Sequence, residues 1–98
     1  MSKGYWIARV KVEDGEAFKE YANRAKVAID KFGGKYLARG GKFSILEGEH
    51  AFERNILIEF SSFQVAKECF ESKEYQEAKS FRIGKANFNA IVIEEYQY

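Results

Sequence analysis

The order of pattern changes along this chain predicts an α+β fold, strands and helices in the sequence β-α-β-β-α-β. Three observations carry that prediction. Apolar and polar residues alternate near both ends of the chain, in "YWIARVKV" and "NFNAIVIEEY", which is the period of a strand. A long segment between them repeats its apolar residues every three or four positions, which is the period of a helix. Glycines and capping residues stand at the places where one pattern gives way to the next.

In Tyr5–Val12, the residues Trp6, Ala8, Val10 and Val12 point to one side, and Tyr5, Ile7, Arg9 and Lys11 to the other. Asp14 follows as a helix cap, since its carboxylate accepts free N–H groups of the first turn. Glu16 then sits near the positive end of the helix dipole. From Glu16 to Phe32 the apolar residues Phe18, Tyr21, Ala22, Ala25, Ile29 and Phe32 form one stripe. Gly33 or Gly34 ends this helix, because a helix C-terminus commonly needs one residue with positive φ. "KYLAR" starts a second strand, Gly40 and Gly41 interrupt it, and "KFSILEG" resumes it. Glycine inside a strand marks a bulge, a bend or a close approach, so this pair is expected to bend the strand and position Arg39. A phosphate-binding loop is not expected, because a strand and not a helix N-terminus follows. "EGEHAFE" turns the chain and "RNILIEF" returns as a third strand. "SSFQ" fits a capping box with Ser61 as cap and Gln64 reaching back. The helix after it carries Phe63, Ala66 and Phe70 on one face. Ser72 recaps a further helical segment with Tyr75, Ala78 and Arg82 on one face, ended by Gly84. Asn87–Tyr96 is the last strand.

This order pairs two split βαβ units into a ferredoxin-like sandwich: a four-stranded antiparallel sheet with two helices on one face. The 98 residues are expected to make a single domain over 1–98, with a modest core. Both sides of the first and last strands are apolar, yet the helices cover only one face of the sheet. The uncovered face needs a partner, and a homodimer with these faces packed together is the economical solution.

Composition excludes several classes. Sixteen basic and fifteen acidic residues leave a net charge of +1, and no Lys/Arg block exceeds two residues. Nucleic-acid binding, which needs clustered basic residues, is therefore not expected. No apolar run approaches the roughly 20 residues of a membrane span, and "MSKGYWIARVKVEDGE" lacks the apolar core of a signal peptide. The single cysteine, Cys69, precludes an internal disulfide and suits a reducing, cytoplasmic compartment.

"GYWIARVKVEDGEAFKEY", "KFGGKYLARGG", "IEF" and "SKEYQEAKSFR" resemble a family of small bacterial proteins, the domain of unknown function 1330. The likeness spans nearly the whole chain; its most specific pieces are the glycine-flanked "KYLAR" and the "EY" followed by Arg82. That family is similar to the dimeric α+β barrel proteins, which pair two ferredoxin-like sheets face to face. The wider superfamily includes cofactor-independent oxygenases, isomerases and haem-degrading enzymes. The resemblance implies the fold and the dimer. It brings no assigned activity and no catalytic residues.

Candidate chemistry is sparse. His50 lies in the turn between the middle strands among Glu47, Glu49 and Glu53, and reads as a solvated tip, not a zinc site, which would draw four ligands. Cys69 has no neighbouring base in sequence and reads as a small buried hydrophobe. No cofactor or metal is expected. The remaining candidates are polar residues at half-buried positions: Arg39, Tyr75, Arg82 and Arg9 for ligand binding, and Glu59 as a weak candidate general base. Arginine suits a carboxylate because its planar fork meets it with two hydrogen bonds. Two readings stay open. In one, these residues converge on a cleft for a small, anionic metabolite, in a binding protein or a cofactor-independent enzyme. In the other, they form ion pairs that only secure a non-enzymatic dimer.

Overall fold

The computed structural model describes residues 2–49 and 51–98, so the reading of His50 lies outside the described residues. The chain runs β1 (Gly4–Val12), α1 (Gly15–Lys31), β2 (Lys35–Arg39), β3 (Arg54–Phe60), α2 (Phe63–Glu71), α3 (Lys73–Ser80) and β4 (Ala86–Glu94). The strands form one antiparallel sheet in the order β2-β3-β1-β4, the ferredoxin-like arrangement. Trp6, Ala8 and Val10 of β1 are buried, and so are Ile58 and Phe60 of β3. Trp6, Val10, Ile58 and Phe60 pack with Phe18, Tyr21, Ala25 and Ile29 of α1, Ala66 and Cys69 of α2, and Tyr75 and Ala78 of α3. All three helices therefore lie on one face of the sheet.

Local chemistry sets the boundaries. Asp14 accepts a hydrogen bond from the Ala17 N–H at 3.1 Å and starts α1. Gly33, with φ 75°, ends it, and the Gly34 N–H donates back to the Ile29 carbonyl. The second helical region is two helices, as recapping at Ser72 predicts. Ser72 is extended (ψ 153°); its hydroxyl donates to the Cys69 carbonyl and accepts from the Tyr75 N–H, closing α2 and opening α3. The cap of α2 is Ser62, not Ser61: the Ser62 hydroxyl accepts from the Val65 N–H at 3.0 Å. Phe60 still belongs to β3 and is 1% exposed, so two residues are needed to leave the sheet. Gln64 donates along the helix to Glu68 and the capping box does not form.

The expected continuation of β2 through "KFSILEG" is not a strand. Gly40, with φ 65°, donates a last hydrogen bond to the Asn55 carbonyl and turns the chain off the sheet. β3 begins at Arg54, so residues 41–47 have no strand of this chain to pair with. Phe43, Ile45 and Leu46 are exposed there. Alternation alone resembles a strand, but a strand needs a ladder. The paired glycines then predict different outcomes. Gly40→Ala is expected to cost about 1 kcal/mol or more because an L side chain disfavours positive φ. Gly41 has ordinary φ and open space around it, so Gly41→Ala should be neutral or stabilising. Urea denaturation of both variants decides this; equal midpoints for the two would show that Gly40 is not held by backbone geometry.

The face away from the helices stays apolar. Register places Ile7 between Leu57 and Ile91, and Tyr5 between Glu59 and Ile93. Ile7, Ile91 and Ile93 are 39%, 58% and 47% exposed. No helix among the described residues is long and apolar enough to cross a membrane.

Candidate functional site

Between α1 and the sheet lies a cavity of about 430 Å³, within the roughly 300–1,000 Å³ of small-molecule sites. Its origin is visible in the sequence of α1. The stripe facing the sheet is aromatic or branched at Phe18, Tyr21 and Ile29 but shrinks to alanine at Ala22 and Ala25, and β1 contributes the small Ala8 opposite. Bulk at the ends and methyl groups in the middle hold the layers apart without filling the space. Trp6, Ile56, Ile58 and Phe88 floor the cavity.

Polar groups gather at the β2 and β3 side: Arg39, Gly40, Glu53 and Arg54. A β-bulge puts Arg39 there. Tyr36 pairs with Ile58 and Arg39 with Ile56, so three steps along β2 match two along β3, with the irregularity between Tyr36 and Ala38. Without the extra residue, Tyr36 and Arg39 would face opposite sides. With it, both face the cavity, and the Arg39 guanidinium stacks 4.6 Å from the Tyr36 ring centre. The device that aims Arg39 is thus the bulge at Leu37; Gly40 acts after it, turning the chain away. Arg54 lies 5.7 Å over the Phe18 ring. The Glu53 carboxylate accepts from the Val12 N–H at 2.9 Å and ties the rim to the end of β1.

A second polar group lies toward β4. The Tyr21 and Tyr75 hydroxyls are 2.7 Å apart, and Arg82 Nη2 donates to the Tyr75 hydroxyl at 3.3 Å. Arg82 is 5% exposed. Its guanidinium sits 3.7 Å over Phe88 and 5.1 Å from the Tyr21 ring. Among the described residues no carboxylate pairs with it, and its Nε is buried with no hydrogen-bond partner. Burial, with Tyr75 beside it, pushes the Tyr21 hydroxyl pKa well above that of free tyrosine, so this group stays protonated, and either hydroxyl can be the donor of the 2.7 Å contact.

The structure separates the residues singled out in the sequence. Arg39 lines the cavity; Tyr75 and Arg82 bond to each other and reach it through Tyr21. Glu59 and Arg9 do not join them. Glu59 lies on the opposite, open face of the sheet and pairs with Lys3 at 3.1 Å. Arg9 alternates to that same face and stacks 4.8 Å over Phe52. The carboxylate at the cavity is Glu53. Cys69 is fully buried, and that burial pushes its thiol pKa up to about 12, so it is an unreactive packing group. Among the described residues no cluster of three or more His, Cys, Asp or Glu side chains gathers as a metal site would need. Sequence reading passed over Tyr21, Tyr36 and Arg54. Tyr21 was placed in the core stripe by its spacing; its hydroxyl, which needs a partner when buried, is the signal that sets it apart from Phe18.

A model of the domain of unknown function DUF1330 matches residues 3–96. The chain belongs to the DUF1330 family. The fold also recurs among solved structures. A protein of unknown function from Rhodopseudomonas palustris superposes with a TM-score of 0.78 at 17% identity, over 99% of this chain and 85% of that one. SnoaB, a cofactor-independent oxygenase from Streptomyces nogalater, gives 0.64 at 7% identity, over 100% and 97%. An ethyl tert-butyl ether D (EthD) family protein from Bacillus halodurans gives 0.58 at 17%, over 98% and 100%. At these identities the likeness establishes the fold alone. No curated protein matches the sequence.

Proposed function

We propose that this DUF1330 protein binds a small, largely apolar molecule bearing an anionic group, in the cavity between α1 and the sheet. The observation that carries this reading is an aromatic-lined space of about 430 Å³ with two guanidinium groups, Arg39 and Arg54, at one side. Neither has an ion-pair partner among the described residues. The one carboxylate beside them, Glu53, is engaged by the Val12 amide. Arginines that served only as structural ion pairs would be closed on carboxylates with no cavity between them, and here the cavity is open. The fold accommodates chemistry of this kind, since SnoaB is a cofactor-independent oxygenase. The working unit is a homodimer through the open sheet face, and the compartment is the cytoplasm, which keeps the lone Cys69 reduced.

A thermal-shift screen of small aryl and alkyl carboxylates tests the binding, because a ligand of the folded state raises its stability. Arg39→Ala and Arg54→Ala are each expected to weaken the best binder roughly tenfold or more, the cost of one charge-assisted hydrogen bond. If no carboxylate raises the melting temperature, or if both variants bind as the parent does, the reading fails.

A further inference from the structure

Arg82 is a buried cation with no carboxylate beside it among the described residues and a buried Nε–H with no acceptor. Burying an uncompensated charge is costly. Stacking on Phe88 and Tyr21 offsets part of that cost. The bond to Tyr75 offsets more. Among the described residues no side chain balances the charge, and an unsatisfied buried donor calls for an explanation.

The two tyrosines connect this charge to the cavity. Arginine only donates, so the Tyr75 oxygen accepts from Arg82. A phenol bonded to a cation through its oxygen becomes a stronger donor and a poorer second acceptor. The 2.7 Å contact between the hydroxyls is then best made by Tyr75 donating to Tyr21. That leaves the Tyr21 proton for a third oxygen, and Tyr21 lines the cavity.

We infer that the Tyr21 hydroxyl donates to a ring-borne oxyanion of the bound molecule, with Tyr75 and Arg82 as positioning residues that supply positive charge behind it. This rests on the cavity reading above and narrows its ligand to the phenol class, held in the phenolate form. The cavity walls suit a flat ring, with Trp6, Phe18, Tyr36 and Phe88 among them. The placement suits an extended ligand. Arg39 lies on β2 and Phe88 on β4, at opposite edges of the sheet, three strand spacings or about 14 Å apart. A carboxylate at the Arg39 side and a phenolate at Tyr21 would occupy the two ends of one molecule. Donors fixed in a water-poor site favour the charged oxygen without having to reorganise.

The probe is 4-nitrophenol, whose visible absorbance reports its ionisation. Titrated in the presence of saturating protein, the bound dye is expected to ionise at a pH lower by about one unit or more, as a nearby opposite charge and a new donor both favour the anion. Tyr21→Phe keeps the ring wall and should abolish the shift while the dye still binds. Tyr75→Phe removes only the linking hydroxyl, so it tests the relay even if Arg82→Met fails to fold, and it should reduce the shift. A bound dye with an unshifted or raised ionisation, or a shift that survives Tyr21→Phe, overturns the inference and leaves the cavity reading standing. Absence of any saturable dye binding also overturns the inference, and the carboxylate screen decides the cavity reading separately.

Discussion

Trp6→Ala is expected to remove about 3–5 kcal/mol of stability, the cost of deleting a large aromatic from a packed core. Trp6 is 4% exposed and is the contact point of every layer of the fold. Its ring meets Phe60 at 5.2 Å, Phe70 at 5.8 Å and Tyr75 at 5.1 Å between centroids. Its indole N–H donates to the Ala66 carbonyl at 2.7 Å, pinning α2 to β1. Trp6 also lines two spaces: the candidate site, and a second of about 290 Å³ between α2 and β4. Alanine would join these into one void with no atoms to collapse into it, which is why the upper part of the range applies. Small domains hold only about 5–15 kcal/mol in total, so the variant should lie close to unfolding at room temperature. Trp6→Phe keeps most of the packing and loses the donor; it should cost nearer 1 kcal/mol beyond the lost volume. Urea midpoints at constant slope measure both. A Trp6→Ala loss below about 1 kcal/mol, the range of ordinary surface changes, would mean the wall between the two spaces is not structural.

The frame of this fold was legible in the sequence because its signals are local. Trp6, Ala8 and Val10 alternate within one strand, and Phe18, Tyr21, Ala25 and Ile29 recur within one helix; neither pattern depends on what lies far along the chain. Asp14, Gly33 and Ser72 act on groups within five residues of themselves. The signals that failed were those that depend on a remote partner. "KFSILEG" alternates like a strand, but whether it pairs is decided by where β3 begins. The bulge at Leu37 is a mismatch of register between two strands, and a single strand carries no trace of it. Alternation along β3 puts Glu59 on the face opposite Ile58, but its partner is Lys3, 56 residues away, and that face is not the one with the cavity. Tyr75 and Arg82 were grouped by helical spacing and do meet. Their link to the cavity through Tyr21 crosses from α3 to α1, which spacing cannot show.

Ile91→Lys is expected to convert the proposed dimer to a monomer without unfolding the chain. In a single chain Ile91 is 58% exposed and Ile7, its neighbour across β1, is 39% exposed; lysine at position 91 therefore meets water and should leave the circular dichroism unchanged. In a two-fold assembly through the open face the same substitution occurs twice, once on each subunit. Two ammonium groups would be buried among Ile7, Leu57 and Ile93, while Glu59 is already held by the Lys3 ammonium and Glu95 by the Lys3 N–H. Each uncompensated charge costs several kcal/mol, and about 4 kcal/mol alone is a thousandfold in dissociation constant. A stable interface of this kind buries more than roughly 1,000 Å², and the apolar strip from Tyr5 and Ile93 to Ile7 and Ile91 is the part of the surface positioned to supply it. Val27→Lys is the control: Val27 is 68% exposed on α1, on the helical side of the molecule, and should leave assembly unchanged. Sedimentation equilibrium at micromolar concentration reads the outcome. The parent should sediment at twice the 11.3 kDa of one chain and Ile91→Lys at that mass. A parent that sediments as a single chain, or an Ile91→Lys variant as dimeric as the parent, would show that this face is not where two copies meet.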